Sequence, residues 1–223
     1  MLREPSKAYS PSSMKCARNM FYKRSGYETD PEPRDHNMIG ITESGTDRHD
    51  RLQNQIFNAK DIKWIDVEEH IKEYGLSDVH VRGREGLELQ LFDTKYNISF
   101  RCDGIVEYEG ERYLLEIKTE TSNKWQDRKD VDPSHIDQIT MYSICLGLDE
   151  AIFIYENRNN CLKKTYIVEV TEEHKEVALK RISRADIGYK MGKEPEAEPS
   201  KDNCMYCRYK IYCDVAIGKP KTG

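Results

Sequence analysis

No stretch of this chain is apolar for long enough to cross a membrane. Mean hydropathy is −0.83 and 34% of residues are charged, which sets a membrane protein aside. The opening residues, Met-Leu-Arg-Glu-Pro-Ser-Lys, lack a signal-peptide pattern, so export is not expected and the cytoplasm is the expected location. No internal repeat recurs. An excess of positive charge is also missing: the net charge is −5, which does not by itself suggest nucleic-acid binding. The distribution is uneven, however. Residues 1–24 hold six Lys/Arg against one acid and residues 201–223 hold five against two, which leaves −13 for residues 25–200. If the two ends meet in space they form a basic footprint; otherwise they are two ordinary basic termini.

What is present is enough for one self-sufficient domain: 223 residues, 37% of them hydrophobic. Seven cysteines in a chain expected in the cytosol point to metal or cluster ligation before disulfides. The coarse pattern is mixed α/β. A helix start is read at Ser12-Ser13 and another at Gly45–His49, where Leu52, Ile56 and Phe57 form an apolar stripe and His49 and Gln53 share a face. Pro31 and Pro33 mark a loop. Asp66–Tyr74 reads as a short helix, and strands are expected at His80–Arg82, Leu87–Phe92, Ile98–Tyr108 and Tyr113–Thr119. Residues 120–132 read as a mobile polar loop. A helix from Pro133 to Leu146, strands at Ala151–Tyr155 and Lys164–Val170, and a helix capped by Thr171 and running to Tyr189 follow, then a Pro/Glu linker over Lys193–Lys201.

The chemistry concentrates between Phe100 and Thr119. Two apolar runs flank Glu109-Gly110-Glu111, the pattern of a hairpin. On its second strand Leu115 and Ile117 face one way and Glu116 and Lys118 the other, while Asp103 ends the apolar part of the first. Two carboxylates a few ångström apart repel unless a cation lies between them, and oxygen ligands suit magnesium or manganese. The bland alternative is an exposed sheet face with a surface ion pair. A second constellation is Cys204-x2-Cys207-x5-Cys213 with the distant Cys16; four thiolates satisfy a [4Fe–4S] cluster or a tetrahedral zinc. Cys102, Cys145 and Cys161 lack ligand spacing and are read as core or surface thiols.

Asp103, Glu116 and Lys118 on consecutive strands resemble the PD-(D/E)XK nuclease core, although Gly104 follows Asp103 and no proline precedes it. His49 in Gly-x3-His and Gln138-x3-Tyr142, which begins 20 residues after Lys118, narrow the resemblance to RecB-like nucleases. The split cysteines and Lys15-Cys16-x-Arg18-x2-Phe21-Tyr22 resemble the CRISPR-associated RecB-like exonucleases that carry an iron–sulfur cluster. The resemblance runs from Cys16 to Cys213. It implies a restriction-endonuclease-like α/β fold, a mixed sheet flanked by helices, with residues 45–190 as nuclease core and residues 12–26 and 202–215 joined by a [4Fe–4S] cluster on Cys16, Cys204, Cys207 and Cys213.

It also implies that His49, Asp103, Glu116 and the Ile117 carbonyl hold Mn2+ or Mg2+, that Lys118 activates water, and that Gln138 and Tyr142 assist. His135, one turn before Gln138, can join that face. The implied activity is exonuclease cleavage of single-stranded DNA from the 5′ end, in recombination, end processing or CRISPR spacer acquisition with protein partners. An endonuclease, or a DNA-binding assembly subunit with a vestigial site, stands as the alternative. If the ends are joined, Arg18, Lys23, Arg24, Arg208 and Lys210, interleaved with Phe21, Tyr22, Tyr206, Tyr209 and Tyr212, could guide a strand by charge and stacking; the alternative, and the expected fate of some of the tyrosines, is that the aromatics pack around the cluster.

Overall fold

The computed structural model describes residues 7–29, 36–205 and 207–218, with the backbone alone at 36–44 and 46. Pro31, Pro33 and Tyr206, singled out above, lie outside the described residues.

After a 3-10 turn at Pro11–Ser13, the chain forms α1 (Ala17–Ser25), α2 (His36–Phe57), β1 (Lys63–Ile65), α3 (Val67–Glu73), β2 (Val79–Glu85), β3 (Glu88–Asp93), β4 (Ile98–Cys102) and β5 (Gly104–Tyr108). It continues with β6 (Glu111–Glu120), α4 (Ser122–Asp127), α5 (Pro133–Leu146), β7 (Glu150–Asn157), β8 (Lys163–Glu169), α6 (Glu172–Met191) and α7 (Lys201–Met205).

Five strands make a mixed sheet in the order β1-β5-β6-β7-β8, in which only the β6–β7 pair is parallel. The segment containing α4 and α5 connects those two strands, as a parallel pair requires. The other three strands form an antiparallel sheet, β2-β3-β4. Alternation along β6 divides the core. Leu115 and Ile117 join Leu52 and Ile56 of α2 on one face, whereas Leu114 joins a larger cluster that takes in α5, α6 and the small sheet. Local chemistry sets the helix ends: Asp66 caps α3, Asp132 with Pro133 starts α5, and Thr171 with His174 forms a capping box on α6. This is a mixed α/β fold with helices against its sheet.

Four expectations change. The Ser12-Ser13 start is a 3-10 turn, and α1 begins at Ala17 with Cys16 in the N-cap position. Its cap comes from far along the chain, since the Ala17 N–H donates to Glu198 Oε2 at 2.8 Å. Gly45 and His49 lie inside α2, which starts nine residues before Gly45. The single strand read over Ile98–Tyr108 is two strands in two sheets, divided at Asp103. Gly104 explains the division: a Cβ there would stand 2.4 Å from the Trp64 ring, and its φ is +157°. Finally, residues 120–132 contain α4 and are tied down rather than loose. Trp125 Nε1 donates to the Tyr155 carbonyl, and Lys164 Nζ to the carbonyls of Trp125, Gln126 and Arg128.

Candidate active site

Asp103 follows the last residue of the small sheet's β4 and precedes the first residue of β5, where Gly104 pairs with Leu115. The break buries its carboxylate to 7% exposure, with Oδ2 accepting from the Ile117 N–H at 2.5 Å. From α2, the buried Gln53 fixes the same residue by donating to the Asp103 carbonyl at 2.7 Å. One helical turn earlier His49 points into the site. Its Nε2 lies 2.8 Å from the Ile117 carbonyl, and its Nδ1 lies 3.4 Å from Asp103 Oδ1 and 3.7 Å from Glu88 Oε1.

Glu116 is 2% exposed. Its Oε1 is in contact with the Lys118 ammonium and accepts from Gln138 Nε2 at 2.8 Å, while its Oε2 is buried without a hydrogen-bond partner. Lys118 also donates to Gln138 Oε1 at 3.1 Å. Gln138 Nε2 reaches the Tyr142 hydroxyl at 2.8 Å, which in turn donates to the Arg101 carbonyl at 2.7 Å. Thus His49, Asp103, Glu116, Ile117, Lys118, Gln138 and Tyr142 come together from α2, the β4–β5 junction, β6 and α5. His135 is turned elsewhere, with its ring stacked on Tyr155 and Nδ1 2.8 Å from the Tyr155 hydroxyl.

Sequence reasoning missed Glu88. One ligand atom each from His49, Glu88 and Asp103 falls within a sphere of 4.8 Å mutual separation, the one such group of His, Cys, Asp or Glu among the described residues. Its sequence signal is slight: it is the polar residue that opens β3 directly after the Gly86 turn.

The electrostatics follow from crowding. Three carboxylates, Glu88, Asp103 and Glu116, face His49 and Lys118. Burial, then the neighbouring Glu116, raises the Asp103 pKa well above the usual carboxylate range, against the pull of His49. Burial alone would lower the His49 pKa, but the hydrogen bond to Glu88, the Asp103 charge and the Ile117 carbonyl outweigh it and lift the imidazole to about 9. Both groups retain protons because the site is rich in acceptors and poor in cations. Burial does the reverse at His135, where with Lys118 nearby it lowers the pKa to about 4 and leaves the ring neutral at pH 7. Burial also raises the Tyr142 pKa, so its phenol stays protonated.

At the chain ends, Cys16, Cys204, Cys207 and Cys213 line one cavity. Asn19 Nδ2 donates to Cys207 Sγ at 3.2 Å, the Glu198 N–H to Cys16 Sγ at 3.4 Å, and Arg18 Nη1 to Cys213 Sγ at 3.9 Å. No three of the four sulfurs lie within 4.8 Å of one another. The expected open basic surface beside them is corrected in part. Arg18 is spent on Asp214, Glu194 and the Pro195 carbonyl, and Arg24 lies over the Tyr9 and Tyr189 rings with Asp186 3.9 Å away. Phe21, Tyr22 and Tyr209 are buried together against Cys207 and Cys213, so for these rings the packing alternative holds rather than the stacking one. Cys102 and Cys145 are buried free thiols and Cys161 is exposed.

No family model and no curated protein matches this sequence. Among solved structures the chain is similar to SSO0001, with a TM-score of 0.51 at 13% identity over 94% of this chain and 87% of that one. It also matches the alkaline exonuclease LHK-Exo from Laribacter hongkongensis, at 13% identity, and LHK-Exo in complex with dAMP, at 15%. Both of those matches have a TM-score of 0.49 and cover 84% of this chain and 90% of the other. The likeness to SSO0001 is one of fold. Among the described residues no helix is long and apolar enough to cross a membrane.

Proposed function

We propose that this chain is a metal-dependent deoxyribonuclease with a RecB-like, restriction-endonuclease-like core, which hydrolyses phosphodiester bonds. The observation that carries the reading is Glu116 Oε2, a carboxylate oxygen buried without a partner beside the His49–Glu88–Asp103 group and a lysine. Such an atom is costly unless a cation satisfies it, so the residues present fit a divalent ion. His49, Asp103, Glu116 and the Ile117 carbonyl would hold manganese or magnesium, with Glu88 as an added oxygen ligand. When bound, the ion supplies Lewis acidity toward a phosphoryl oxygen and lowers the pKa of water.

The chain's own groups do the positioning. Gln53 and the Ile117 N–H fix Asp103, and Gln138 with Tyr142 holds Glu116 and Lys118 in register. The Lys118 ammonium stands where it can orient water or meet charge growing on the phosphate. Exonuclease action on single-stranded DNA from the 5′ end, in the cytoplasm, with partners in recombination, end processing or CRISPR spacer acquisition, is the finer reading; the sequence resemblance alone supports it.

The cysteine cavity supports a [4Fe–4S] cluster. Two of its thiols, Cys207 and Cys16, accept N–H donors, which would stabilise the negative charge of metal-bound thiolates. A single zinc would draw four sulfurs to roughly 3.8 Å apart, given Zn–S bonds of about 2.3 Å. The choice of cluster over zinc rests on the split ligand pattern, one cysteine near the start of the chain and three near its end.

The test is linear single-stranded DNA labelled at either end, with manganese. Wild type is expected to cut, and Glu116→Ala and Lys118→Ala to lose about a hundredfold or more while remaining folded. Equal cutting by Glu116→Ala would overturn the assignment. A folded wild type that does not cut would favour the assembly-subunit reading.

A further inference from the structure

Three cavities adjoin one another along this chain. The largest, about 1020 Å³, is lined by Lys7, Ser10, Ser12, Lys23, Tyr27 and Arg208 among others. Ser10 and Ser12 also line a second cavity of about 310 Å³, which reaches Arg101, Gln138 and Tyr142. Arg101 also lines a third, of about 460 Å³, which contains His49 and Glu88. The shared residues set the three in succession from α1 to the candidate metal ligands, with Arg101 between the last two: its carbonyl accepts from Tyr142 and its guanidinium pairs with Glu85 and Glu88.

The chemistry of the far end is that of a phosphate site. None of Lys7, Lys23 and Arg208 has a carboxylate oxygen within 4.0 Å among the described residues, in contrast to the neutralised Arg18. Lys23 is half-buried and its ammonium meets only the neutral Ser10 hydroxyl among the contacts described. Burial lowers the Lys23 pKa, and an anion beside the ammonium would offset that cost. Serine hydroxyls beside it add neutral donors, and the Tyr27 ring, packed on Tyr22 and Tyr212, keeps part of its surface exposed, 39% for the residue. Glu28 is the one carboxylate in the lining. Cations, hydroxyls and an exposed ring along a groove are what a single strand needs for backbone contacts and base stacking. A free nucleotide would leave the second cavity, with its continuity to Gln138 and Tyr142, unused.

We infer that this groove seats one polynucleotide strand, with Lys7, Lys23 and Arg208 holding backbone phosphates several nucleotides from the bond at His49, Asp103 and Glu116. The inference rests on the nuclease reading above and adds the route by which the substrate reaches that site.

Two measurements separate the groove from the site. Fluorescence anisotropy of a labelled oligothymidylate, without divalent metal and over a range of salt, reads the groove. The triple variant Lys7→Gln/Lys23→Gln/Arg208→Gln is expected to bind about tenfold more weakly at low salt. Its slope of log K against log salt should fall by about 2, since each single-strand phosphate contact contributes about 0.7. If the triple variant does not fold, Lys7→Gln/Arg208→Gln alters exposed side chains only and should still lower the slope by about 1.4. Hydrolysis of the p-nitrophenyl ester of thymidine monophosphate with manganese, lost in Glu116→Ala, reads the site without the groove. Unchanged binding and slope in the variants overturn the groove and leave the site standing. Wild type that hydrolyses the ester but binds no oligonucleotide has the same meaning. Absence of both binding and hydrolysis overturns the groove and the nuclease reading together.

Discussion

At Asp103 three demands meet: a sheet must end, another must begin, and a carboxylate must stay buried next to Glu116. The consequence is readable in pH. A carboxyl whose folded pKa is raised stabilises the fold fully below its unfolded value and loses that contribution as pH rises through the folded value. His49, raised from 6.5 to about 9, behaves the same way, stabilising fully below 6.5 and losing the effect as pH passes about 9. Metal-free protein should therefore lose thermal stability as pH rises from 3.8, where the Asp103 contribution starts to fall, to about 9, where that of His49 is lost, by about 2–4 °C for each 1 kcal/mol lost. Manganese, which favours the deprotonated ligands, should remove the loss, so its stabilising effect should grow across that range. Scanning calorimetry with and without manganese at several pH values checks this. Glu88→Gln should weaken manganese binding about tenfold or more; equal affinity would exclude Glu88 from the ligand set. Asp103, Glu116, Lys118 and His49 were legible in the sequence because two lie on one alternating strand and the others in short spaced motifs. Glu88 was not, because the start of β3 meets His49 of α2 only through the tertiary fold, which no local pattern records.

The element scale shows where periodicity runs out. The alternation of Ile98, Phe100 and Cys102 is picked up again in the same phase at Val106 and Tyr108, with only Ile105 out of step, so a single strand is the natural reading. The division comes from a tertiary contact, the Trp64 ring of β1 pressed on Gly104. Gly104→Ala should force that ring or the backbone aside, at a cost of about 1–3 kcal/mol, and displace Asp103 with it. The expected result is a lower Tm together with weaker manganese binding. A lower Tm with manganese affinity intact would separate the sheet break from the site. The segment after β6 offers a similar lesson. Its polarity suggests a mobile loop, but Arg128 is buried in a two-pronged pair with Glu120, at 2.5 and 2.7 Å, and lies over the Tyr155 ring. Composition cannot distinguish charges that face water from charges that face each other. Helix ends were more legible: Thr171 caps where the sequence places it, and α3 and α5 start within a residue of the Asp66 and Pro133 read for them, because capping is a local chemistry.

For the molecule as a whole, the two ends of the described chain are bound into one assembly before any inorganic group is considered. Glu198 caps α1 and pairs with Arg181, Asn203 donates to the Lys15 carbonyl, and the Tyr22 hydroxyl donates to the Tyr212 carbonyl. These contacts gather Cys16 and the three C-terminal cysteines around their cavity, and Phe21, Tyr22 and Tyr209 shield it from one side. A group held by all four thiolates would close nearly the entire chain, and since the unfolded chain cannot hold it, its binding energy adds to folding. Cys207→Ala removes one ligand and leaves Asn19 without its acceptor. Wild type purified without oxygen should be brown and contain four iron atoms per chain, as a [4Fe–4S] cluster requires. The variant should be pale, iron-poor and lower in Tm by several degrees, whereas Cys161→Ala, which changes an exposed thiol outside the cavity, should keep both colour and Tm. Colourless wild type with one zinc per chain would replace the cluster by a mononuclear site and require the four sulfurs to close in. Iron content and Tm that do not respond to Cys207→Ala would mean that the protein contacts alone hold the ends together.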